Sequence, residues 1–221
     1  MTSARCWLCT LLAALCAGCG GGDAPAPGPA APAVIEFYGD SLTFGSIEGP
    51  AGMLTRLGVP PVRRAQELLG DAAVCVDLSL PGATVRDALA GVAMMPFGRF
   101  AEHVATTTAS VLVVRYGGAD ALRGVPLADF ERDLAALVRL AQAAGKRVLL
   151  VGVIATPTGA TDDFDLAVER TADALGVGFV DVRAVPHTLP DDLADAVHPA
   201  QAWSDRLTAA IVRHLRPLLN P

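Results

Sequence analysis

Short, mostly uninterrupted apolar runs alternate along the chain with longer stretches in which apolar positions recur every three or four residues. The runs at 33–38, 72–78, 110–115, 147–154 and 178–182 have the length of strands, and their continuous apolar character is that of strands buried on both faces. Helices are predicted at 61–69, 84–91, 127–144, 163–175 and from about 200 to 218. In the third of these, Phe130, Leu134, Leu137, Val138 and Ala141 share one face, and Gly145 marks its stop. The alternation predicts an α/β fold: one doubly wound domain, a five-stranded parallel sheet with helices on both faces. Such sheets carry their chemistry in the loops beyond the C-terminal strand ends.

Residues 1–33 depart from this pattern. Arg5 is followed by an apolar run at 7–15, the length of an export-signal core and too short to span a bilayer. It ends in Leu15-Cys16-Ala17-Gly18-Cys19, which resembles a bacterial lipobox, where the cysteine after two small residues is lipidated and becomes the mature N-terminus. Cys16 departs from that motif, whose leucine usually stands three residues before the modified cysteine. Ordinary cleavage near Ala17 is the alternative. Residues 19–33, rich in Gly, Pro and Ala, read as a tether without a core. The expectation is therefore a signal peptide at 1–18, a tether at 19–33 and a domain at 34–221. The domain would be exported and held at the cell envelope, in the periplasm or at the outer membrane, by lipid on Cys19.

Four of the five cysteines lie in the first nineteen residues, so they are no disulfide framework for the domain. Cys75, in the apolar run 72–76, is expected to be a buried, unreactive core thiol. With 52% hydrophobic and 18% charged residues and a mean hydropathy of +0.43, the chain can offset its ordering entropy and fold. A net charge of -6 lacks the basic excess that a phosphate backbone requires, so nucleic acid is excluded as a partner. The scattered histidines have no metal-ligand spacing, and neither metal nor cofactor is expected.

Directly after the first predicted strand stands Gly39-Asp40-Ser41-Leu42-Thr43-Phe44-Gly45. A serine in a glycine-flanked turn at a strand end is well presented as a nucleophile. A phosphate-cradling loop with Ser41 as a donor is the other reading, although the segment has neither the P-loop spacing nor its lysine. Near the other end, Asp195-Ala196-Val197-His198 places a carboxylate three residues from an imidazole. On one helical turn the two would lie close, leaving the second ring nitrogen for a serine. Asp191 and Asp192 are alternative acids, while His103, His187 and His214 are expected on surfaces or loops.

Gly39-Asp40-Ser41-Leu42, Gly82, Gly117-Gly118-Ala119-Asp120 and Asp195-x-x-His198, in this order, resemble the four sequence blocks of the SGNH (GDSL-type) hydrolases. Gly117-Gly118-x-Asp120-x-Leu122-Arg123-Gly124 is most similar to the periplasmic arylesterase, acyl-thioesterase and lysophospholipase branch. The resemblance implies a flavodoxin-like three-layer α/β/α sandwich and hydrolysis of carboxylic esters or thioesters. It implies Ser41 as nucleophile, His198 as base and then acid, Asp195 as its orienting carboxylate, and the Ser41 and Gly82 N–H groups as oxyanion donors. The family's remaining donor is an asparagine where this chain has Ala119. Thr84 or a water could replace it, and Asp120 would shape its loop. Arg115 and Arg123 could meet an anionic substrate, although sixteen of the seventeen basic residues are arginine. The alternatives are a weakened protein that binds an acylated glycan or lipid, and an envelope-glycan deacetylase or acyltransferase. The loops 49–61 and 94–99 are expected to border the pocket.

Overall fold

The computed structural model describes residues 31–92 and 94–219. The expected export signal and the expected lipidation at Cys19 lie outside the described residues. The chain runs β1 (Ala33–Gly39), α1 (Ser41–Phe44), β2 (Ser46–Glu48), β3 (Leu54–Arg56), α2 (Pro61–Leu69) and β4 (Ala73–Asp77). It continues through α3 (Val85–Ala90), α4 (Phe100–Val104), β5 (Val111–Arg115), α5 (Gly118–Leu122) and α6 (Leu127–Ala143). Last come β6 (Arg147–Val151), α7 (Asp162–Leu175), β7 (Gly178–Val180) and α8 (Gln201–Leu219).

The five predicted strands form one parallel sheet in the order β4-β1-β5-β6-β7, and β2 and β3 pair separately as an antiparallel hairpin. After β1 the chain moves outward to β4, then crosses back to β5 on the other side of β1. The direction of winding thus reverses between β1 and β5, and a crevice opens where their following loops part. Helices α2 and α8 pack together as one layer, and α3, α4, α6 and α7 form the other. The apolar face read from 127–144 does what its spacing requires: Phe130, Leu134, Leu137, Val138 and Ala141 are all buried. Each of the larger side chains contributes about 1.5–3 kcal/mol by leaving water.

The sheet carries a buried acid that its apolar pattern concealed. Glu36 in β1 is 5% exposed. Its carboxylate accepts from the Tyr38 hydroxyl and the Thr107 hydroxyl, and His103 Nε2 lies 3.1 Å from it. Satisfied from three sides, it can stay inside. His103 is therefore half-buried on α4 as part of this cluster, not a free surface residue.

One strand ends early for a visible reason. β6 stops at Val151 because the next peptide groups turn to α7 and the turn before it: Val153 N–H donates to Asp165 Oδ1 at 2.8 Å, and Ile154 C=O accepts from Thr161 Oγ1 at 2.7 Å. Cys75 lies on the outer strand β4 and is half-buried, not a core thiol; burial pushes its pKa up to about 11. That open edge is covered by one side chain, Gln66, which accepts from Cys75 N–H and donates to Ala73 C=O, both at 2.9 Å.

Candidate active site

The crevice between β1 and β5 holds Ser41. Gly39, the last residue of β1, admits no side chain: a Cβ there would lie 2.1 Å from Thr43 Oγ1 and 2.4 Å from Arg115 C=O. The chain can therefore fold tightly back into α1. Asp40 caps this turn, accepting from Leu42 N–H with Oδ1 and from Ala119 N–H with Oδ2, both at 2.9 Å. It is fully buried. Burial pushes its carboxyl pKa up, against the Ala119 and Leu42 amides and the nearby Arg115. One carboxylate thus ties the first motif to the third.

Asp195 and His198 do not share a helical turn. They lie in the loop before α8, and the loop is shaped by Asp195 itself, whose Oδ1 accepts from Val197 N–H and His198 N–H at 2.9 Å. His198 Nδ1 stands 2.8 Å from Asp195 Oδ2, and His198 Nε2 stands 2.9 Å from Ser41 Oγ, across 157 positions of sequence. Both side chains are nearly buried, at 9% and 7% exposure. Burial pulls the Asp195 pKa upward, but the Val197 amide, the His198 ring and the Glu48 amide together hold it below the usual carboxylate range. An ionised partner keeps the imidazole proton on Nδ1 and leaves Nε2 to receive one from a hydroxyl.

Among the described residues, neither Ser41 N–H nor Gly82 N–H has a hydrogen-bond partner. Gly82 adopts a φ of +77 in the loop after β4. Ala119 offers no replacement for an asparagine, since its side chain is a methyl and its N–H is taken by Asp40. Thr84 is the N-cap of α3, where Oγ1 accepts from Asp87 N–H in a capping box. Asp120 reaches the same helix from α5: Oδ1 accepts from Val85 N–H at 3.3 Å, while buried Oδ2 has no partner. Burial raises its pKa to about 7.

The other acids and histidines are elsewhere occupied. Asp192 pairs with Arg206, and Asp191 is exposed. His187 stacks on Trp203 at 4.7 Å, and His214 Nδ1 lies 2.9 Å from Ala210 C=O. Arg115 is buried, and among the described residues its side chain donates to Leu42 C=O at 3.4 Å. Among the described residues, no three His, Cys, Asp or Glu side chains are grouped to hold a metal ion, and no helix is long and apolar enough to cross a membrane.

A narrow cavity of about 20 Å³ opens beside Ser41 and His198, walled by Leu42, Leu122, Ile154, Thr156 and Val197. Neither loop expected to border it supplies a wall. In the loop 94–99, Phe97 instead packs on Tyr38 at 5.1 Å, and 49–61 contains strand β3 of the hairpin. The walls at Ile154 and Thr156 were missed from sequence, although their place just beyond β6 is the signal that could have found them. The hairpin's own contribution is the Glu48 N–H, 2.7 Å from Asp195 Oδ2. A wider groove of about 520 Å³ runs past Arg56 and Cys75 at the β4 edge, away from the serine.

The strand order and the Ser–His–Asp geometry define an α/β protein of the hydrolase type. The chain belongs to the GDSL-like lipase/acylhydrolase family, whose model matches residues 37–205, and with it to the SGNH hydrolases. It is 30% identical over 118 residues to the esterase TesA of Pseudomonas aeruginosa, a match that spans 50% of this chain and 57% of that protein. The crystal structure of TesA superposes with a TM-score of 0.66 at 26% identity, covering 84% of this chain and 99% of the other. A Mycobacterium smegmatis aryl esterase shares the fold at a TM-score of 0.70 and 18% identity, over 84% of this chain and 99% of its own. The acetylxylan esterase Axe2 of Geobacillus stearothermophilus does so at 0.66 and 23%, over 84% and 96%.

Proposed function

We propose that the chain is a serine esterase that cleaves carboxylic ester or thioester bonds through an acyl-enzyme on Ser41. The observation that carries this reading is the continuous contact from Ser41 Oγ to His198 Nε2 and from Nδ1 to Asp195. Ser41 Oγ attacks the carbonyl carbon while its proton passes to His198 Nε2, and the C=O π pair becomes an oxyanion held by the Ser41 and Gly82 N–H groups. The oxyanion collapses, the bond to the alcohol or thiol breaks, and the leaving group takes the proton from His198. Water then attacks the acyl carbon as His198 takes a water proton. The acid leaves when that proton returns to Ser41 Oγ.

The size of the cavity supports short acyl groups. A space of about 20 Å³ holds roughly one water-sized group, enough for an acetyl methyl. Ala119 removes one expected donor, and such a loss costs about 10²–10³ in rate, so turnover is slower than with a three-donor hole. The same methyl favours a second reading, binding of an acylated glycan or lipid without appreciable turnover.

The test is hydrolysis of 4-nitrophenyl acetate, together with labelling by a fluorophosphonate probe. Wild type should turn over and label, and Ser41→Ala should do neither. Ester hydrolysis unaffected by Ser41→Ala would overturn the mechanism. Labelling without turnover would favour the binding reading.

A further inference from the structure

Glycine has the freest backbone of any residue, so a glycine whose N–H must point at a reacting atom needs something to hold it. Gly82 is such a case. A Cβ built on it meets nothing within 4 Å, so no neighbour crowds that side of its Cα. Ala83 N–H closes a turn onto Leu80 C=O at 3.0 Å on the chain's own side. The other restraint comes from a different element. Arg123, just past α5, donates from Nη1 to Gly82 C=O at 3.2 Å and to Asp87 Oδ2 at 2.6 Å. The same Asp87 oxygen accepts from Thr84 N–H at 3.0 Å. A single Arg–Asp pair therefore holds the peptide groups on both sides of Ala83.

We propose that Arg123 is a positioning residue of the oxyanion hole: by holding the Gly82 carbonyl, in the peptide next to the one that carries the Gly82 N–H, it limits rotation about Gly82 and so keeps that N–H aimed at the substrate's developing negative charge. This rests on the acyl-enzyme chemistry proposed for Ser41. The dependence is greater here than it would be in a three-donor hole, because Ala119 supplies neither a side-chain nor a backbone donor. With two donors, a misdirected Gly82 leaves Ser41 N–H alone. The ion pair itself is 56% and 20% exposed, and exposed pairs add little to stability. Fold stability alone therefore does not account for the arrangement, and loss of Arg123 should act on rate far more than on melting temperature.

The test compares wild type, Arg123→Met, Arg123→Lys and Ser41→Ala. It measures kcat and KM on 4-nitrophenyl acetate, inhibition by a small alkylboronic acid that forms a tetrahedral serine adduct, and Tm. Arg123→Met should lower kcat by about ten- to a hundredfold with KM nearly unchanged, the signature of an interaction made only in the transition state. The boronate Ki should rise by a similar factor, Tm should move by less than about 3 °C, and Arg123→Lys should recover part of the loss. The proposal is overturned if kcat for Arg123→Met stays within about threefold of wild type. It is also overturned if the loss lies in KM and only for anionic esters, which would make Arg123 a substrate contact. An inactive Ser41→Ala beside an unimpaired Arg123→Met rejects this inference alone, whereas an active Ser41→Ala rejects the underlying mechanism as well.

Discussion

In the proposed mechanism, the difference between a two-donor and a three-donor oxyanion hole comes down to a methyl group at position 119. The Ala119 backbone cannot compensate, because its N–H is fixed on Asp40 Oδ2. Ala119→Asn should therefore raise kcat by about ten- to a hundredfold, near the lower end of what one such donor contributes, with a smaller change in KM. Steady-state kinetics on 4-nitrophenyl acetate checks it, and an unchanged kcat would mean that another group already serves as the third donor. Ser41, Asp195 and His198 were legible in the sequence because each sits in a short local motif. The Glu48 N–H on Asp195 and the Arg123 contact to Gly82 were not, because both involve main-chain atoms brought together by the fold. No side-chain pattern marks a peptide group. Asp195 and His198 do meet, but not through the helical spacing invoked for them: a loop folded around the Asp195 carboxylate brings them together.

Among the elements, legibility followed length. The sheet strands and the helices of six or more residues announce themselves by continuous or periodic apolar positions; the sequence places all ten, with β6 and β7 expected two or three residues too long. Helices α1, α4 and α5, of four or five residues, complete too few turns to show a period. The hairpin strands β2 and β3, three residues each around Gly-Pro-Ala-Gly, look like loop for the same reason. Two of these short elements, α1 and α5, wall the cavity beside His198. Leu122, the last residue of α5, is 58% exposed and walls the cavity beside Ser41, the acyl space of the proposed function. Leu122→Ala should widen that space and raise kcat/KM for hexanoyl over acetyl 4-nitrophenyl esters by about tenfold, in line with 1–3 kcal/mol for methylene-scale changes in a pocket. A profile unchanged across chain length would place the acyl group elsewhere. Ile154, opposite it, is held by Asp165 and Thr161 through the neighbouring backbone and is not expected to yield.

For the whole molecule, carboxylates pull stability in opposite directions with pH. Asp195, Asp87 and Asp192 are held below the usual range, so their contribution is present above the unfolded-state pKa near 4 and is lost as the solution is acidified below it. Asp120, raised to about 7, and Asp165, raised to about 6, act the other way, each because burial penalises its charge. A raised carboxyl favours folding while protonated, so its contribution is full below about pH 4 and is lost as pH climbs through 6 and 7. The chain should therefore be most stable in mildly acidic solution. Asp120 isolates the effect, because Oδ1 accepts from Val85 N–H and Oδ2 has no partner to lose. Asp120→Asn keeps the shape and the acceptor while removing the charge. Its Tm should match wild type near pH 4, pull ahead between pH 5 and 7, and exceed it by about 5 °C or more at pH 8, where up to about 4 kcal/mol of charge burial is relieved. Thermal melts of both proteins at intervals from pH 4 to 8 measure the divergence. Parallel curves would show that Asp120 is ionised at low cost in the folded protein, and a gain confined to acid would reverse the sign of the argument.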